Sequence, residues 1–176
     1  MSIDTQHKYS IKSVQKIQLA IIPTVSILER LKSDTRARHV ALESRTVLLN
    51  RDLSHSNYSQ CLQRFFGYYA PLERRLLEYR AWYEAGLVYD NRYKTAQIVQ
   101  DLLALGVTQN ALLTIPQCNI LPELKTTAQI FGCLYVLEGA TLGGQIISRH
   151  LNVSLSLTPE SGCSFFSGYG QKTGSQ

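Results

Sequence analysis

Two groups in this sequence have the residue types and spacing to do chemistry. The first is His39, with Lys32 seven residues before it. His39 lies in a stripe of Leu28, Leu31, Thr35, Leu42, Thr46 and Leu49 that recurs at helical steps. An imidazole on such a stripe is either a hydrogen-bonded core histidine or a metal ligand. Two turns separate Lys32 from it, so an ammonium and an imidazole point into one cleft about 10 Å apart along the axis. The second group is the stretch 135–151, helical in pattern but with Gly139, Gly143 and Gly144 in its middle. Interior glycines cost a helix about 1 kcal/mol each relative to alanine, so roughly 3 kcal/mol of propensity is given up here. Gly132, Gly139 and Gly143 fall near one face. Bare main chain there admits either a crossing helix or a flat ligand resting on the backbone.

These groups need elements to carry them, and the patterning supplies helices only. The stripe around His39 predicts a helix from Thr24 to about Asn50. A polar turn follows, with Ser54 or Ser56 as N-cap of a second helix whose stripe includes Tyr58, Leu62, Phe65, Phe66, Tyr69, Leu72 and Leu76. Pro71 predicts a kink or break near Tyr69, and His55 is expected exposed in the turn. Thr95 is read as the cap of a short helix ending at Gly106, and residues 110–121 as irregular. Pro122 is placed at the start of a long helix running to about Leu151. The glycine and aromatic segment after Ser161 reads as a loop that folds over something. No stretch alternates with period two, so the fold class expected is all-α.

A chain of 176 residues can bury one sizeable core, and an apolar share of 44% with 18% charged residues excludes a disordered chain. Residues 1–23 read as an N-terminal extension and 24–176 as one helical domain. Cys61, Cys118, Cys133 and Cys163 show no zinc-site spacing, and the N-terminal apolar run lacks a secretory cleavage site. Reduced thiols in a cytoplasm are expected. No uninterrupted apolar run suggests a membrane span. A net charge of +5 favours an acidic partner or anionic ligand. The basic residues are too scattered to suggest nucleic acid.

An imidazole with a cation on one helix and side-chain-free backbone on another are complementary halves of a site for a planar metal macrocycle. At these residues the sequence resembles the bacterial biliverdin-producing heme oxygenases. LKSDTRARHVALE, residues 31–43, resembles that family's proximal helix; YVLEGATLGG, residues 135–144, resembles its distal helix, continued by QIISRHL through 151. FFSGYG at 165–170, DLS at 52–54 and YAPLE at 69–73 add weaker agreement.

The resemblance implies a single-domain helical bundle with heme held between a proximal and a distal helix. It implies His39 as the axial iron ligand, with Lys32, Tyr135 and Arg149 toward the propionates. Gly139, Gly143 and Gly144 would orient oxygen on the distal side. Heme would be both substrate and cofactor, opened to biliverdin with release of carbon monoxide and ferrous iron, using O2 and an external reductant. Partners implied are an electron donor such as a ferredoxin, a flavodoxin or a reductase, and a bilin acceptor such as a phytochrome. Three departures are visible: position 140 is alanine where many members hold an aspartate, the family's last helix is missing or cut short after Gln176, and the leader is not a family feature. They keep open a non-catalytic heme- or bilin-binding protein of the same fold. A cofactor-free helical interaction module also remains, with the glycines merely admitting a neighbour.

Overall fold

A computed structural model describes residues 25–82 and 84–170. The expected extension, 1–23, lies outside them, as does the chain end after Gly170. The chain forms two compact units, Met1–Arg45 and Thr46–Gln176. The fold is all-helical: six α-helices and no strand occur among the described residues.

In the first unit, α1 spans Ile27–Glu43. Ser26 starts it with a capping box: its hydroxyl accepts from the Glu29 amide at 3.2 Å, and the Glu29 carboxylate accepts from the Ser26 amide at 3.0 Å. The hydroxyl bond to Ser26 also holds the Glu29 carboxyl below its usual range. The helix stops at Glu43, short of the expected Asn50. Beyond it Ser44 turns back to Val40 and Leu42, and residues 44–50 form turns. The two stripe members beyond the helix, Thr46 and Leu49, keep the helical spacing without helical structure; Leu49 is exposed, and its neighbour Leu48 is the residue buried in the core of the second unit.

In that unit α2 spans His55–Leu77, capped by Ser54 as expected. Its stripe places Tyr58, Leu62, Leu72 and Leu76 wholly out of water. Burying each leucine side chain contributes roughly 2 kcal/mol. His55 is exposed. Pro71 lies inside α2, which continues through it instead of breaking. The Gly67 carbonyl four residues earlier accepts instead from the Cys118 amide, at 2.7 Å. Absence of a side chain at Gly67 is what admits that neighbour, since a Cβ there would collide with the Pro116 carbonyl.

Short 3-10 turns at Arg80–Trp82 and Tyr89–Arg92 lead to α3, Thr95–Ala104, and then to α4, Gln109–Thr114, in a stretch expected to be irregular. Thr95 is not the cap of α3: its hydroxyl and amide both donate to Glu73 of α2, at 2.6 and 2.8 Å, and Lys94 donates its amide at 2.8 Å. A buried carboxylate from another helix therefore satisfies amides at the start of α3.

The long helix α5 spans Thr127–Leu155 and starts at a Thr126–Gln129 capping box, five residues after Pro122. It ends past Leu151, at Ser156 with φ 55°. By length and composition alone α5 is apolar enough to cross a bilayer, although polar residues interrupt its apolar runs. Ile130, Leu134, Leu137, Leu151 and Leu155 put its other face into the core.

The segment expected as a loop folding over something is made of helical turns, and its phenylalanines do pack over the second unit's core. A π-turn, Pro159–Cys163, leads into the short α6, Ser164–Ser167. Phe165 and Phe166 pack against Phe65, at 5.4 and 5.6 Å between ring centres, and Phe166 is buried. Asp101 of α3 accepts from the Ser164 and Phe165 amides at 2.7 and 2.8 Å, a second buried carboxylate holding a helix start.

Candidate functional site

The residues expected to act together come from both units. On α1, His39 is 75% exposed, not a buried core histidine, and its Nδ1 lies 3.8 Å from a Glu43 carboxylate oxygen one turn on. Lys32 is exposed two turns earlier.

On α5 the face carrying Tyr135, Gly139, Leu142, Gly143, Ile146 and Arg149 is exposed, whereas Leu134, Leu137, Gly144 and Leu151 turn inward. The two readings of the glycines therefore divide. A Cβ at Gly144 would meet the Phe166 carbonyl oxygen at 2.8 Å, so Gly144 admits the backbone of α6. At Gly139 and Gly143 a Cβ would meet nothing within 4 Å. Their bare main chain is bordered by Val136, Leu142 and Ile146, all more than half exposed. Bare main chain at two positions one turn apart, bordered by apolar side chains, suits a planar ligand. Among the described residues no cluster of three metal-ligating side chains occurs.

A polar network borders this face that the sequence did not suggest. Glu138 accepts from the Tyr169 hydroxyl with both oxygens, at 2.9 Å each, and lies 3.5 Å from Arg92. The Lys94 ammonium sits 3.7 Å over the Tyr169 ring, a cation–π contact. Burial pushes the Tyr169 phenol up and the Lys94 ammonium down from their ordinary pKa values. The available signal was Glu138 as the one charged residue from 126 to 148.

This chain belongs to the heme oxygenase family, whose model matches residues 25–174 and so spans both units. Members of this family bind heme. No match was found among curated proteins or solved structures.

Proposed function

We infer that this protein is a heme oxygenase that opens heme to biliverdin, with carbon monoxide and ferrous iron as the other products. The observation that carries the reading is the exposed main chain at Gly139 and Gly143 in a chain matched by the heme oxygenase model from 25 to 174. Bound heme supplies the oxidative chemistry, with O2 and electrons from an external reductant.

The residues bind and orient. His39, exposed on α1, would hold the iron through its imidazole, with the Glu43 carboxylate 3.8 Å from Nδ1. A neutral imidazole donates less electron density than a thiolate and so favours oxidation of the ring itself. Gly139 and Gly143 leave room for dioxygen and let main-chain groups or ordered water lie close to it. Gly144 contributes indirectly, by letting α6 pack behind the helix. Lys32, Tyr135 and Arg149, all exposed, would hold the propionates by charge and hydrogen bonding.

A net charge of +5 suits an acidic donor such as a ferredoxin or flavodoxin, or a reductase. The product suits a bilin acceptor such as a phytochrome. Four free cysteines fit a cytoplasmic location. Ala140, where many relatives hold an aspartate, favours a second reading: a non-catalytic heme or bilin carrier of the same fold. Purified protein given heme, a reductant and oxygen separates them by absorbance. Biliverdin formation is expected; an unchanged heme spectrum assigns the carrier role instead.

A further inference from the structure

The glycine stretch of α5 has little packing to hold it. No residue between Leu137 and Gly144 is buried, and Gly139 and Gly143 offer no side chain to pack. In that interval Glu138 is the one side chain, among the described residues, whose hydrogen bonds reach another element. Its oxygens take the Tyr169 hydroxyl at 2.9 Å, and Arg92 lies 3.5 Å away. Thr141 instead donates to the main-chain carbonyl of Glu138 at 2.6 Å, within the same helix. Tyr169 is in turn overlain by Lys94, whose amide is fixed by the buried carboxylate of Glu73. A continuous path of contacts thus joins α2 to the middle of α5. Glu138 precedes Gly139 and projects about 100° round the helix from it, so the tether lies at the rim of the bare face. Rotating α5 enough to turn Gly139 away would break both of Glu138's partnerships.

We propose that Glu138, held by Tyr169 and Arg92, is the positioning residue that fixes the rotational setting of the glycine face and thereby selects which edge of the macrocycle is oxidised. The selection rests on the heme oxygenase reading; the tether does not. Glu138→Gln and Tyr169→Phe are therefore made in the full chain and followed two ways. In the heme-free protein, amide hydrogen exchange over 138–144 is expected to be about ten-fold faster in Tyr169→Phe, the effect of losing one hydrogen bond, and faster to a smaller extent in Glu138→Gln, which loses the charge facing Arg92 while its amide oxygen still accepts from Tyr169. In the heme-loaded protein, the titration with heme is expected to be unchanged while the ratio of biliverdin isomers shifts, with the double variant no worse than the singles. Unchanged exchange overturns the proposal. Faster exchange with the wild-type isomer ratio overturns the positioning role. A wild-type protein that makes no biliverdin rejects the enzyme reading and with it the selection, leaving exchange to decide the tether alone. Should Glu138→Gln fail to fold, Tyr169→Phe carries the same tests.

Discussion

The Gly67 carbonyl oxygen, deprived of its helical donor by Pro71, accepts the Cys118 amide at 2.7 Å. The two substitutions that ordinarily weaken a helix interior, a glycine and a proline four residues apart, here create one docking point for the 116–118 segment. Gly67→Ala is expected to force a Cβ against the Pro116 carbonyl and to destabilise the fold by about 2 kcal/mol, the usual scale of overpacking. Pro71→Ala restores a helical donor whose acceptor is already engaged, and is expected to change stability little. Urea denaturation of both variants checks the contrast, and the opposite order would sink this account.

Glu73 makes a similar use of a buried group. Its carboxylate receives two amides and the Thr95 hydroxyl, and no part of it reaches solvent. Glu73→Ala leaves these donors without an acceptor and is expected to cost about 3 kcal/mol or more. Thermal unfolding measures the loss, and a shift no larger than that of an exposed variant such as Glu78→Ala would show the bonds to be dispensable.

How much of this was readable in the sequence depends on whether the partner was local. Ser54 as a cap, Gly106 as a stop and the glycine face of α5 follow from neighbours a few residues away, and they stand as expected. The Thr126–Gln129 box was equally local, yet Pro122 was the stronger signal and drew the predicted start of α5 too early. Glu73 and Asp101 were not legible, because each caps a helix from a distance of 20 residues or more, and a carboxylate in a helical pattern is read first as solvated. Pro71 misled for the same reason, since the amide that answers it is Cys118. Of the candidate site, sequence reasoning found the bare face but not its border, because Glu138 meets Tyr169 across 31 residues.

Asp101 predicts a pH dependence. Burial raises its carboxyl from 3.8 to about 6, with the Phe165 and Ser164 amides opposing that rise. A raised folded-state value means the folded protein holds this proton more tightly than the unfolded chain. Its contribution is full below about pH 4 and lost as pH climbs through about 6, on the order of 2–3 kcal/mol. Asp101→Asn is expected to flatten that part of the stability profile, as followed by denaturation between pH 4 and 7. An unchanged slope would place the titrating group elsewhere.

His39→Ala tests the ligand assignment directly. The exposed imidazole has a carboxylate at 3.8 Å and no packing to lose, so the variant is expected to fold as the wild type does. It should lack the histidine-ligated ferric heme spectrum and regain it on addition of imidazole. Absorbance titration with and without imidazole decides the matter, and a wild-type spectrum in the variant would move the ligand to another residue.

The glycines of α5 predict opposite responses to one methyl group. At Gly143 a Cβ meets nothing within 4 Å, so Gly143→Ala is expected to stabilise the heme-free protein by up to about 1 kcal/mol through helix propensity alone. At Gly144 it meets the Phe166 carbonyl at 2.8 Å, and Gly144→Ala is expected to destabilise by about 2 kcal/mol as α6 is pushed away. Turnover should follow another order. Gly143→Leu places bulk on the face assigned to heme and should abolish biliverdin formation in a single-turnover assay while the heme-free protein stays folded. A helix that tolerates leucine at 143 with full turnover would mean that nothing lies against that face during the reaction. The main chain there would then be bare for a reason unconnected with heme.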